Sequence, residues 1–347
     1  MTRREWIAGV PALAFLKAGR AAEVPFERID THNHVHRSAP ALVSAMERTG
    51  WRALSICDSR EVGDQPSALP EMIPGTARFH SESKKRWAWA TTFDARGFEQ
   101  AGFSDRVIAG LQQGFAQEAI AVKVWKNVGM GIRSTSGAYL LPDDPALLPI
   151  YESIRKSEKT LICHLAEPNG AWEAVDSRNS EAGYLRSHPE WSMYGRKDAP
   201  SKERILAARD RVVARYPKLR VIGCHLGSNE EDLHRLAERL DGLPNMAVDL
   251  AARIRYLMAD DREKVRQFLL TYQDRILYAT DFTLGAGDDE RAANSLQSTH
   301  DRDWNFFSTS ETFQQRDRPV QGLGLPERVL RKIFRENAVR WLPGILG

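Results

Sequence analysis

The chain has 347 residues, with 49 Lys+Arg against 46 Asp+Glu for a formal charge of +3, and 42% apolar against 27% charged residues. That balance excludes a disordered chain, and no run approaches the roughly 18 uninterrupted apolar residues of a membrane-spanning helix. Three cysteines, Cys57, Cys163 and Cys224, cannot build a disulfide framework and form no C-x-x-C pair.

The charge is unevenly placed. Residues 1–21 hold Arg3, Arg4, Lys17 and Arg20 against Glu5, which leaves 45 basic and 45 acidic residues for the rest. The pI near 8.7 therefore belongs to the N-terminal segment, and no basic face remains to bind nucleic acid. Arg3-Arg4 leads into an apolar run over residues 8–16, followed by Ala18, Gly19, Ala21 and Ala22. This order resembles a bacterial twin-arginine signal. Residues 1–22 are expected to be cleaved after Ala21 or Ala22, giving an exported, periplasmic protein. Without that processing it would stay cytoplasmic.

From residue 26 to 347 a single domain is expected. Short apolar runs at 26–32, 53–58, 87–93, 120–125, 161–165, 221–226, 246–250 and 276–280 alternate with amphipathic segments. The runs lack clean polar alternation, as parallel strands covered on both faces do. Between them, residues 231–240 place Leu233, Leu236, Ala237 and Leu240 on one helical stripe, with Asn229 as the expected N-cap. Residues 202–216 and 262–272 read as helices in the same way, and Pro326 opens a last one. Eight strand–helix units predict an α/β fold, a (β/α)8 TIM barrel with its site at the C-terminal ends of the strands. A doubly wound open sheet is the rival, but no glycine-rich nucleotide motif supports it.

Two connections are long. Residues 168–201 follow the fifth strand and carry Trp172, Tyr184, Trp191, Met193 and Tyr194. Residues 282–325 follow the eighth and carry Trp304, Phe306 and Phe307. Each is expected to wall the site or to pack over the barrel rim; Trp172 and Trp191 are candidates for substrate contact.

The histidines concentrate at the strand ends. His32 and His34 form His-x-His at the end of the first strand, where residues two apart share a face. His164 ends the fifth strand, His225 the sixth, and Asp281 the eighth. Three imidazoles and a carboxylate around one divalent ion suit zinc, with an open position for water. Such an ion activates water towards neutral pH, and a further histidine can move the proton.

These residues, with Ile29-Asp30-Thr31-His32-Asn33-His34, Thr280-Asp281 and the closing Ile333-Phe334-Arg335-Glu336-Asn337-Ala338, resemble the amidohydrolase-related (amidohydrolase 2) family of the metal-dependent hydrolase superfamily. That group includes aminocarboxymuconate-semialdehyde decarboxylase. The resemblance runs from Ile29 to about Leu342. It implies that His32, His34, His164 and Asp281 bind one metal, and that His225 polarises water or substrate, alternating with a ligand role. Zinc is the expected ion, and manganese would accept the same donors. Wider superfamily members carry a carboxylated lysine on the fourth strand, where Lys123 lies. The one-metal branch implies instead that Lys123 supports the site or faces substrate, with a second metal as the alternative.

Cys163 and Cys224 each precede an inward histidine, so alternation turns both outward, and Cys57 is expected to be buried packing. His36 is expected on the loop surface, His234 on a solvated helix, and His80, His188 and His300 away from the strand ends. Arg253, just past the seventh strand, is the first candidate to grip an anionic substrate, ahead of Lys126 and Arg60. The leading expectation is a metal-dependent hydrolase of a lactone, cyclic amide or similar carbonyl compound, with His225 assisting proton transfer and Asp281 orienting or accepting the proton. The alternatives are a non-oxidative decarboxylase of an aromatic or unsaturated acid, and a silent secreted binding protein. A small-molecule substrate is the expected partner, with neither nucleic acid nor membrane, and a homodimer is allowed.

Overall fold

The computed structural model describes residues 26–83, 86–316 and 318–347, so the expected signal at 1–22 lies outside the described residues. Nine strands form one sheet: β1 (Arg28–His34), β2 (Trp51–Ile56), β3 (Trp87–Thr92), β4 (Ala121–Val124), β5 (Thr160–Cys163), β6 (Val221–Gly223), β7 (Met246–Asp249), β8 (Ile276–Leu277) and β9 (Phe282–Thr283). Strands β1 to β8 lie side by side in chain order, and β9 pairs parallel to β1. The Thr31 amide donates to the Tyr278 carbonyl (3.1 Å) and the Asp281 amide to that of His32 (2.9 Å), so the chain after β8 returns to β1 and closes the sheet. The result is a TIM-barrel-like α/β fold, as the alternating pattern requires.

Residue size decides the two faces of the sheet. Ala88, Ala90, Ala121 and Ala247 point inward beside Ile29, Ile162 and Ile222. Trp51, Trp87 and Leu161 pack outward against the helices. The C-terminal residues Trp341, Leu342 and Ile345 join the inner cluster and close the barrel at the N-terminal ends of its strands.

β1 departs from regular alternation. Its pairing with β2 matches Asp30 to Ala53 but Asn33 to Ser55, a one-residue bulge. With Ile29 inside, strict alternation would turn His32 and His34 outward; the bulge re-aims both into the barrel. Asp30 fastens it. Its Oδ1 accepts from the amides of His32 (3.3 Å) and Thr280 (3.1 Å), and its Oδ2 from the Thr280 hydroxyl (2.7 Å) and His300 Nε2 (3.0 Å). His300, stacked on Trp51 at 3.9 Å, thus supports β1 from outside.

Several strand ends are shorter than the apolar runs suggest. β6 stops at Gly223 because His225 and Leu226 adopt left-handed conformations, with φ of 58° and 56°. This corrects the expectation for Cys224: with Ile222 inside, alternation turns Cys224 into the barrel as well, and the left-handed turn breaks the alternation at His225, while Cys163 packs outward as expected. The helix expected at 231–240 runs over Leu233–Gly242, and Asp232, not Asn229, caps it by accepting from the His234 and Arg235 amides. Asn229 instead donates to the Gly227 carbonyl. The helices Lys202–Arg215 and Arg262–Thr271 match their expected spans, capped by Ser201 and Asp261.

The two long connections differ in kind. Residues 168–201 hold a helix, Ala182–Ser187, flanked by 3-10 turns. The later connection forms a 20-residue helix, Asp289–Ser308, packed on the helix Pro40–Thr49, and a hairpin of β10 (Thr312–Gln315) and β11 (Arg318–Gln321). Among the described residues no helix is long and apolar enough to cross a membrane.

Candidate metal centre

Each imidazole at the barrel mouth is oriented by a partner on its Nδ1. His32 Nδ1 donates to Asp249 Oδ2 (2.8 Å), and His34 Nδ1 donates to the Ile56 carbonyl (2.9 Å). His225 Nδ1 donates to the Ala251 carbonyl (2.8 Å), which leaves its Nε2 to accept from His164 Nδ1 (3.1 Å). This chain of tautomers, assigned from the hydrogen bonds, leaves an Nε2 lone pair on His32, His34 and His164, of which that of His32 faces Lys123 Nζ.

The Nε2 atoms of His32 and His34 converge on Asp281 Oδ1, at 3.4 and 3.3 Å. Ligand atoms of His32, His225 and Asp281 all lie within 4.8 Å of one another. His164 is not in that group; it stands beside His225, with ring centroids 4.1 Å apart. Its buried Nε2 has no hydrogen-bond partner. A buried acceptor left bare is costly, and a cation supplies the missing partner. The donor set of imidazole nitrogens and carboxylate oxygen therefore fits a divalent ion such as zinc.

The electrostatics agree with that fit. Burial keeps the imidazole pKa values low: His32 below its ordinary value, His164 well below, and His225 at about 3. Neutral imidazoles are the form that ligates or accepts a proton. Burial opposes the charge of Asp281, but His32, His34 and His225 outweigh it and hold its pKa well below the usual range. The carboxylate keeps 29% of its side-chain surface exposed at the mouth.

Asp249, at the end of β7, is a functional residue that sequence reasoning missed. Besides orienting His32, its Oδ1 accepts from the His225 amide (2.7 Å) and so fixes the left-handed turn. Burial opposes its charge, yet His32 and His225 hold its pKa at about 2. A carboxylate behind a ligating imidazole fixes the ring and raises its basicity. The available signal was position alone, an acidic residue ending an otherwise apolar strand.

Lys123 lies beneath the site, 1% exposed, with Nζ 3.2 Å from His32 Nε2 and 3.1 Å from Cys224 Sγ. It is not among the residues lining the mouth cavity, so it lies beneath the mouth and not in its wall. His32, Cys224 and Asp249 form a second close group there, and His34, His36 and Asp58 a third. His36 is accordingly half-buried, bonded to the Thr76 hydroxyl at 2.8 Å, and not on the loop surface.

The mouth opens into a cavity of about 430 Å³ that His34, His164, His225 and Asp281 line together with Asp58, Arg60, Trp125, Lys126, Tyr184 and Arg253. Arg253, Lys126 and Arg60, expected to meet an anion, all line it. Trp191 stands behind, edge-on to Trp125 at 4.9 Å. Trp172 is a correction. Its indole donates to the Pro200 carbonyl (2.9 Å) and borders a separate pocket with Ser201 and Lys202. Tyr184, twelve residues further along the same connection, takes the place at the mouth.

Against known proteins, the amidohydrolase (Amidohydro_2) family model matches residues 29–344. Among solved structures the chain is similar to 2,6-dihydroxybenzoate decarboxylase, with TM-score 0.51 and 13% identity over 91% of this chain and 99% of that one. It is also similar to 4-oxalomesaconate hydratase from Rhodopseudomonas palustris, with TM-score 0.52 and 13% identity over 92% of this chain and 96% of that one. At such identity these likenesses concern the fold. No curated protein sequence matches the chain. The match along nearly the whole barrel shows that the chain belongs to the amidohydrolase family of metal-dependent enzymes.

Proposed function

We propose that this protein is a metal-dependent hydrolase that opens the ester- or amide-type bond of a small carbonyl substrate such as a lactone or cyclic amide. His32, His34, His164 and Asp281 would hold one divalent ion, with zinc proposed and manganese able to use the same donors. When bound, the ion supplies a Lewis acid for the carbonyl and activation of water. Asp281, an ionised carboxylate open to the cavity, accepts the proton of the attacking water. His225 is neutral at pH 7 and assists that transfer at Nε2 by giving up the hydrogen bond it accepts there from His164 Nδ1, since its own Nδ1 is committed to Ala251. Asp249 holds both His32 and the His225 turn in place.

The observation that carries this reading is the bare, buried Nε2 of His164 beside two proton-accepting groups at an open cavity. The experiment compares metal-loaded with chelator-stripped protein on a panel of lactones and cyclic amides. Hydrolysis only by the loaded form is expected; equal activity of the stripped form refutes the proposal. The similarity to 2,6-dihydroxybenzoate decarboxylase motivates a second reading, decarboxylation of an aromatic acid on the same donors. Carbon dioxide release without ring opening decides for it.

A further inference from the structure

A second cavity, of about 410 Å³, lies between the segments after β7 and β8, the helix Asp289–Ser308 and the β10–β11 hairpin. It shares Ala252 and Arg255 with the mouth cavity but includes none of the imidazoles or carboxylates of the metal centre. Its lining carries four arginines, Arg255, Arg302, Arg316 and Arg318, against one acidic side chain, Asp303. Asp303 offsets only one of them. It is buried, with Oδ1 accepting from Arg302 Nε (2.8 Å) and Oδ2 from the Tyr278 hydroxyl (3.0 Å).

Donors are left over on the other three. Arg255 gives one amino group to Glu181 Oε1 (2.8 Å) and the Tyr256 hydroxyl (3.3 Å), which leaves its Nε and its second amino group uncommitted. Among the described residues nothing accepts a hydrogen bond from the guanidinium of Arg316 or Arg318, and neither forms an ion pair. Both stand at the tip of the hairpin, where Gln315 pairs with Arg318 and Arg316 takes a left-handed φ of 53°. Of the hairpin's strand residues only Val320 is buried, so core packing contributes little to placing it over this cavity. Like charges gathered around one cavity repel, and an anion among them reverses that cost. A tetrahedral phosphoryl dianion presents three oxygens and engages several guanidinium forks at once, where a planar carboxylate matches one. Ile254, Met258 and Ala279 in the same lining offer apolar surface to an organic group attached to it.

We infer that this second cavity binds the phosphoryl group of a small phosphate ester, through Arg255, Arg302, Arg316 and Arg318, at a site separate from the metal centre. The inference is independent of the hydrolase reading, and its test reads binding alone. Phenyl phosphate is titrated calorimetrically into the full-length protein, both metal-loaded and chelator-stripped, with phenyl sulfate and phenol as controls. One equivalent is expected to bind with the same affinity in both forms, at least tenfold more tightly than phenyl sulfate, while phenol does not bind. Arg316→Met combined with Arg318→Met, and separately Gln315→Glu, are each expected to weaken binding about tenfold or more. The unfolding midpoint of the double variant should match that of the wild type, because both arginines are exposed and unpaired. Lys126→Met, at the mouth cavity, is expected to bind phenyl phosphate as the wild type does. Equal affinity for the sulfate ester, unchanged affinity in both hairpin variants, loss of binding in Lys126→Met, or a requirement for the metal overturns the inference.

Discussion

At the N-terminal ends of its strands the barrel is closed by apolar packing. Trp341, Leu342 and Ile345 fill the interior behind Ile29, Leu54 and Ile222, and the Thr160 hydroxyl donates to the Trp341 carbonyl (2.6 Å). The C-terminal ends contain imidazoles, carboxylates and cations, and the backbone is strained there. Of nine non-glycine residues with positive φ among the described residues, six follow strands at this end: Ala166, His225, Leu226, Ser228, Ala252 and Asp281. Each such conformation costs on the order of 1–2 kcal/mol. The floor thus supplies stability that the mouth gives up in order to aim its side chains.

That contrast can be broken at either end. Asp281→Asn should lower kcat/KM by about 10⁴-fold and reduce bound metal per chain, with the unfolding midpoint little changed. A large fall in stability instead would make Asp281 a structural residue. Trp341→Ala should cost about 3–5 kcal/mol in urea unfolding, while metal content and turnover per folded molecule persist; loss of metal binding would show that the two ends are coupled.

Asp249→Asn should weaken metal binding roughly 10–100-fold by calorimetry while leaving the fold intact. The acid sensitivity of the metal-free protein gives a further test. His225 titrates at about 3 in the fold because burial disfavours its charge, against about 6.5 unfolded. Between those values the unfolded state binds the extra proton, so stability falls as pH drops from about 6.5 towards 3, by roughly 1.4 kcal/mol per pH unit. Denaturation profiles of wild type and His225→Gln should diverge in that window, and parallel profiles refute the assignment. The smallest effect belongs to Trp172→Phe, which removes the hydrogen bond to Pro200 and should cost about 1 kcal/mol without altering KM. A raised KM would return Trp172 to the site.

Much of the barrel was legible because its signals are local. Parallel strands buried on both faces leave apolar runs, the intervening helices leave stripes, and His32, His34, His164, His225 and Asp281 stand where those runs end. The amidohydrolase family follows from the same residues. The sequence by itself thus determined the fold class and which chemical groups meet at the mouth.

Only the tertiary structure decided how they are held. Asp249 meets His32 across 217 positions, a distance over which local periodicity says nothing. The bulge in β1 is set by Asp30 bonding to Thr280 and His300, again remote in sequence. Cys224 and His225 are neighbours that both serve the barrel interior because His225 adopts a left-handed φ that its side chain does not announce, unlike a glycine. Tyr184 reaches Lys126 where Trp172 does not, because the helix Ala182–Ser187 and not the first turn of the loop lies over the cavity. Strand periodicity is a property of each segment, but the position of a side chain in a closed barrel depends on every segment packed around it.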